Sequence, residues 1–230
     1  MRRHDLLRIT PAAWQRVLQD NPALLEIPLV ADWASHGWPV IIRRHMPGDQ
    51  LDDVPAALPL PPLHGKRRVA FCLTSWAGVK TLPPVSLSDA AAAAPASWQP
   101  AIAALLKLGE RMGKTPNVFG ALLWEHITGL PYMTAHSDID LLWNVADPIA
   151  ARALVDGLLN IEKATPLRLD GELELPDGGA VNWRELAQVF AGTSENVLVK
   201  CMAGVSPRGL VALFLTGLAR VPAISTRRTA

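Results

Sequence analysis

Cysteine is nearly missing from this chain. There are two in 230 residues, Cys72 and Cys201, far apart and outside any CxxC spacing. That excludes a disulfide framework and a cysteine-built zinc site, and makes reduced thiols in a cytoplasmic protein the simple expectation. An excess of charge is missing too. Lys and Arg number 22 against 21 Asp and Glu, a formal charge of +1, so bulk electrostatics call for no nucleic-acid partner. Long apolar runs are absent as well. The basic opening Met1-Arg2-Arg3-His4-Asp5 is not followed by the unbroken apolar core of a signal peptide, and no stretch reaches the roughly 18 apolar residues of a spanning helix. Leu210 to Leu218 is apolar but too short. The expectation is a soluble cytoplasmic protein with no membrane partner. No internal repeat, Walker loop, HExxH or Ser/His/Asp arrangement occurs either.

What remains is the composition of an ordinary globular protein, half hydrophobic and 19% charged, long enough to bury a real core. Most of the eight scattered tryptophans read as core or interface residues. A stretch rich in Pro, Ala and Ser, Leu82 through Ala96, has the composition of a linker running into a helix, which places a domain boundary near residue 95. Residues 1–95 then form a small N-terminal α+β domain for substrate or partner binding. It has a helix from about Pro11 to Gln19 capped by Thr10, and β-like runs at Trp38–Arg44 and Arg68–Thr74. The Pro-rich stretch Pro55 to Pro62 between those runs is expected to be an irregular loop.

Residues 96–230 carry cleaner signals. Ile102, Leu105, Leu106, Gly109 and Met112 mark one amphipathic helix. Phe119, Leu122, Leu123, His126, Ile127 and Leu130 mark a second, stopped by Gly129. His126 reads as a packed core histidine. Asp138 to Val145 alternates as a strand, and Asp147-Pro148 opens a further helix. Thr165 to Leu175 is a strand, or a hairpin broken at Asp170-Gly171. Pro176 to Gly179 is a turn, and Asn182 to Glu185 is a capping box. Asn196 to Lys200 is a strand, and Ser206-Pro207 begins a last helix. The fold class is α+β, a small mixed sheet with flanking helices.

Alternation in a strand puts Asp138 and Asp140 on one face, roughly 6.6–7 Å apart along the chain. Paired carboxylates repel unless a cation lies between them, and Mg²⁺ typically takes one or two carboxylates plus phosphate oxygens. A bare DxD is common at solvated strand ends. Here, however, Val118-Phe119-Gly120-Ala121 opens the helix that runs into the strand, and a glycine with a small residue lets backbone N–H groups approach a phosphate. Metal-dependent nucleotidyl transfer is the resulting expectation, with Asp138 and Asp140 as catalytic and metal-binding residues. Gly120, Ala121 and Ser137 are placed at the substrate. Asp170, preferred over Glu172, is the candidate third carboxylate. Lys200, Arg184 and the run Lys66-Arg67-Arg68 are candidate phosphate or partner contacts; a charged strand edge is the plainer role for that run.

Gly-small, a helix and then Ser137-Asp138-Ile139-Asp140-Leu141 resembles the signature of polymerase-beta-type nucleotidyltransferases. More of the chain resembles the malonate decarboxylase holo-acyl-carrier-protein synthases, the phosphoribosyl-dephospho-CoA transferases. The likeness rests on Arg3-His4-Asp5-Leu6-Leu7, Pro59 to Pro62, Gly65 to Arg68, Val118 to Glu125, Thr128 to Tyr132, Ser137 to Trp143, Asp170 to Glu172 and Val181 to Glu185. It implies transfer of the phosphoribosyl-dephospho-CoA group from 2′-(5″-triphosphoribosyl)-3′-dephospho-CoA to a serine of an apo acyl carrier protein, with release of pyrophosphate. The family aspartates fall on Asp138 and Asp140. Where many members carry Gly-Ser this chain has Gly120-Ala121, which keeps the backbone donors and removes a hydroxyl. Two other expectations stand beside it: a nucleotidyltransferase moving AMP from ATP, and a non-catalytic module that binds a carrier protein.

Overall fold

The computed structural model describes residues 1–215. The first sheet comprises β1 (Leu6–Ile9), β2 (Val40–Ile42), β3 (Val54–Pro59), β4 (Arg68–Leu73) and β5 (Val79–Leu82), in the order β4-β3-β2-β1-β5 with every pair antiparallel. Helix α1 (Pro11–Asp20) starts as expected, with Thr10 accepting from the Ala13 N–H and Pro11 at the first position. It packs Trp14 into the core, where the indole donates to Val30 O at 2.8 Å. The bond offsets the cost of burying the indole N–H.

The expected irregular loop at Pro55 to Pro62 is instead largely strand β3, buried through Leu58. Proline is tolerated because of phase. Leu60 N donates to Arg67 O and Arg43 N donates to Pro55 O, so even-numbered residues turn their N–H groups toward β4. Pro55 and Pro59 occupy odd positions, at the two ends of the short β2 ladder formed by Ile41↔Ala57 and Ile42↔Ala56. The cost is a single donor at the end of the ladder, where Pro55 cannot return the bond that the Arg43 N–H makes to its carbonyl.

The Pro/Ala-rich stretch is ordered. Ser86 caps a short helix α2 (Leu87–Ala90), and the Leu87 N–H and Val118 N–H bond across to Pro116 O and Val85 O, so the stretch rests on the second sheet. Helix α3 (Gln99–Met112) follows, then β6 (Asn117–Phe119), α4 (Gly120–Thr128), β7 (Ile139–Asn144), α5 (Pro148–Ala164), β8 (Leu169–Glu174), β9 (Ala180–Asn182), α6 (Trp183–Phe190), β10 (Asn196–Cys201), β11 (Gly204–Gly209) and α7 (Leu210–Phe214). The six strands lie in the order β11-β10-β9-β8-β7-β6. Only β7 and β8 pair in parallel, as a connection through α5 permits. The fold is therefore α+β, an antiparallel sheet unit followed by a mixed sheet with helices.

Three local expectations change. Thr165 to Leu175 holds one strand, β8, and no hairpin: Asp170-Gly171 lies inside it, and Gly171 is needed because a Cβ there would stand 2.1 Å from Leu141 O. The capping box at Asn182 is half made. Asn182 accepts from the Arg184 N–H, whereas Glu185 reaches out to the Leu198 N–H and anchors α6 to β10. Ser206-Pro207 sits in strand β11, so the last described helix begins only at Leu210. Of the apolar segment noted from Leu210, Leu218 lies outside the described residues. Among those described, no helix is long and apolar enough to cross a membrane.

The two sheets share one continuous hydrophobic core. Polar contacts join them as well: Tyr132, 5% exposed, donates its hydroxyl to Pro59 O at 2.9 Å, and His45 N donates to Met202 O at 2.9 Å. Tyr132→Phe removes one such bond with little change of shape, and should lower unfolding free energy in urea by about 1 kcal/mol. An unchanged urea midpoint would mean that this bond contributes nothing to holding the sheets together.

Candidate active site

Strand β7 delivers the carboxylates. Its apolar side chains Ile139, Leu141 and Trp143 are all 1% exposed or less and fix the strand, leaving Asp140 and the preceding Asp138 on the opposite side. Both line a cavity of about 310 Å³ between the two sheets, whose walls include Phe119, Gly120, Ala121, Trp124 and Ser137 from the second unit and Lys66, Arg67 and Arg68 from the first. Eight of the residues singled out in the sequence thus meet in one cleft.

The parallel register sets Asp170 of β8 directly beside Asp140. Asp170 is held by the Asn182 side-chain amide at 2.9 Å and by the Gly171 N–H at 2.7 Å. Burial, followed by the charges of Asp170, Asp138 and Glu172, pushes the Asp140 carboxyl up to about 7, against the pull of Lys66. A carboxyl so crowded by its own kind marks a place where a cation would be bound strongly. Among the described residues no group of three or more His, Cys, Asp or Glu side chains is ready to hold a metal ion unaided.

Gly120 has two jobs. It opens α4 with φ +66, and a Cβ added there would lie 1.9 Å from Asp140 Oδ2. The glycine therefore makes room for the carboxylate as well as leaving the helix start accessible. No side chain caps α4, and Gly120 and Ala121 line the cleft, so the start of this helix is open to it. Gly120→Ala should cost at least ~1–2 kcal/mol from the left-handed backbone alone. The added methyl also displaces Asp140, so turnover should fall about a hundredfold, read by thermal melting and transfer assay together. A variant with full activity would show that Asp140 tolerates displacement.

The basic wall is set by an unusual turn. Gly65 and Lys66 both have positive φ, +85 and +50, the second uncommon for a side-chain-bearing residue. Lys66, Arg67 and Arg68 then line the cleft together at the start of β4.

Other candidates are placed elsewhere. Arg184 pairs with Glu162 and donates to Leu169 O at 2.6 Å, tying α6 to α5 and to the start of β8, and it does not line the cleft. Lys200 pairs with Glu172 at 2.9 Å. Glu172 is 5% exposed and also receives Arg3 at 3.0 Å and His4 at 3.3 Å. Burial alone would raise its carboxyl, but hydrogen bonds and charge from His4 and Arg3 hold it well below the usual carboxylate range. Ser137 accepts from the Thr134 N–H at 2.9 Å, closing a tight turn, and its backbone N–H bonds Thr134 O. The stretch between Gly129 and Asp138 absorbs the long spacing from Gly120. His126, expected as a packed core histidine, is instead exposed on α4, because the buried face of that helix is taken by Leu122, Leu123 and Trp124, and it lies outside the cleft lining.

Sequence reasoning missed His4 and His136, which both line the cleft, and Arg168, 3.6 Å from Asp138. His4 stands in the left-handed region at φ +70, with its ring 4.6 Å from that of Phe119. Only the resemblance carried by Arg3-His4-Asp5 pointed there; periodicity gave no signal.

Residues 2–84 match the family described as the phosphoribosyl-dephospho-CoA transferase MdcG N-terminal domain, and residues 86–208 match the corresponding C-terminal domain. A phosphoribosyl-dephospho-CoA transferase of Xanthomonas campestris pv. campestris is 40% identical over 187 residues, 81% of this chain and 86% of that protein. A protein of the same name from Bradyrhizobium diazoefficiens is 39% identical over 203 residues, 88% of both chains. No solved structure matches this chain.

Proposed function

We propose the following reaction from the premise that the chain belongs to the MdcG phosphoribosyl-dephospho-CoA transferase family, which makes it an enzyme, a transferase. In the cytoplasm it moves the phosphoribosyl-dephospho-CoA group of 2′-(5″-triphosphoribosyl)-3′-dephospho-CoA onto a serine of the apo acyl carrier protein of malonate decarboxylase. The observation that carries this reading is the meeting of Asp138, Asp140 and the open start of α4 with Lys66, Arg67 and Arg68 across one cleft. That pairing of metal-binding carboxylates with phosphate donors is what a triphosphate requires.

The division of roles is as follows. Asp138 and Asp140 hold Mg²⁺, with Asp170 beside them as the third carboxylate. The chemistry supplied by the bound ion is neutralisation of the triphosphate and of the charge growing on the leaving group. Gly120 and Ala121 offer backbone N–H groups to the phosphates, while Lys66, Arg67 and Arg68 bind the departing pyrophosphate or the donor's own diphosphate. Ser137 shapes the turn that presents Asp138. Lys200 and Arg184 act at one remove, Lys200 by neutralising Glu172 and Arg184 by fixing β8, which carries Asp170. The serine Oγ forms a bond to the α-phosphorus as the bond from that phosphorus to the β-phosphate oxygen breaks. The serine proton passes to the paired carboxylates, and pyrophosphate leaves with the electron pair. The first unit, taken through residue 95, supplies the basic wall, and residues 96–230 supply the carboxylates.

The test is the intact mass of apo carrier protein after incubation with enzyme, Mg²⁺ and the triphosphate donor. A mass gain equal to phosphoribosyl-dephospho-CoA, with one pyrophosphate released per carrier, is expected. A gain of AMP when ATP replaces the donor, and none with the donor, would instead favour a different nucleotidyl specificity.

A further inference from the structure

A second cavity, of about 380 Å³, opens on Asp138 from another side. It shares His136, Ser137 and Asp138 with the cleft and no other lining residue. Its remaining wall comes from the stretch before α3 and the stretch before β8, including Trp98, Leu167 and Arg168, so nothing from the first sheet contributes. Trp98 and Leu167, each 8% exposed, give that wall a firm backing, while its accessible lining is mostly polar.

We propose that this second cavity is the port through which the carrier protein's serine-bearing segment reaches the donor, with Arg168 positioning that segment. The assignment rests on the functional reading above. In-line displacement requires the incoming oxygen and the departing pyrophosphate on opposite sides of the phosphorus, and the molecule has two cavities meeting at Asp138. Charge decides which cavity takes which group. The cleft carries Lys66, Arg67 and Arg68, whereas the second cavity has Arg168 alone among its lining cations, already 3.6 Å from Asp138. One cation is poor compensation for a polyphosphate, while a mostly polar pocket with a single guanidinium, backed by Trp98 and Leu167, suits a peptide bearing a carboxylate beside its serine. Arg168 is well placed for this. Its backbone is fixed because its carbonyl accepts from the Ile139 N–H at 3.1 Å, yet its side chain is 66% exposed and free to change partner.

Ala135 and Ser97 sit exposed on the rim of this cavity, where a large side chain can be added without disturbing the core. Ala135→Trp and Ser97→Trp should each raise KM for apo carrier protein about tenfold or more. Their affinity for the triphosphate donor, measured by calorimetry, should stay at the wild-type value. Arg168→Glu should raise the same KM, with Arg168→Lys recovering most of the loss. Weakened donor binding in the rim variants would overturn the assignment by giving the cavity to the donor, and an unchanged carrier KM in both rim variants would overturn it outright. If wild-type enzyme failed to modify the carrier at all, the functional reading itself would fall, and the port with it.

Discussion

Asp140→Asn is expected to cut transfer to the carrier protein about a thousandfold or more while making the ligand-free protein more resistant to heat at pH 8. The two effects have one origin. Asp140 is crowded by burial and by Asp170, Asp138 and Glu172, and its carboxyl is pushed up to about 7 from an ordinary 3.8. For a group raised on folding, the stabilising contribution is fully present below the unfolded value and disappears as pH rises through the folded one. Wild-type protein without divalent cation should therefore lose stability between about pH 4 and pH 8, and the asparagine variant should lose less. Adding Mg²⁺ with pyrophosphate should reverse the order, raising the wild-type melting temperature more at pH 8 than at pH 6, since cation binding needs the ionised carboxylate. Loss of a group acting on charge in the transition state is worth about 10²–10⁴ in rate. Asp138→Asn should be similarly inactive. More than a few per cent of wild-type activity in both variants would remove these aspartates from the chemistry.

The largest stability effect is expected at Glu172. Arg3, His4 and Lys200 all end on this one carboxylate, which is 5% exposed. Removing one member of a buried ionic cluster strands the others, at a cost of about 3–5 kcal/mol. Glu172→Ala should lower the urea midpoint by that equivalent at pH 7, and Glu172→Gln by less, because its carbonyl still accepts a bond. The pH dependence runs opposite to that of Asp140. The Glu172 carboxyl is depressed in the fold, so its contribution is present above the ordinary 4.5 and is lost as pH falls below it. Wild type should consequently weaken on acidification below about pH 4.5 more steeply than Glu172→Ala. Equal acid sensitivity in the two proteins would show that the cluster does not store that energy.

These two residues also mark how far sequence reasoning reaches. Asp138 and Asp140 could be picked out because everything that displays them is local: strand alternation, a glycine at the preceding helix start, and an apolar anchor directly after. Helices α1, α3, α4 and α5 each carried an end signal, a 3.6-residue period or both, and they lie where those signals put them. β3 was hidden because proline density outweighed everything else, and the phase that rescues it depends on which neighbouring strand each N–H faces. β8 was half seen. Asp170-Gly171 has the composition of a turn, and only the close approach of the Leu141 backbone explains a glycine in mid-strand. Glu185 looked like the return arm of a capping box and instead bonds the Leu198 N–H, a tertiary choice that no local pattern contains. The role of Glu172 was out of reach for the same reason, since its partners come from the first strand's approach and from β10.

Arg3 and Glu172 are 169 positions apart. Contacts so distant along the chain form late and slow the folding of the units that need them. During synthesis the first sheet can pair from its own residues, but Glu172 and then Lys200 must emerge before His4 is fixed beside Phe119 at the mouth of the cleft. The ribosome therefore releases most of this molecule before its cleft can take final shape, so a nascent chain stalled ahead of β8 would carry the basic wall without a working site.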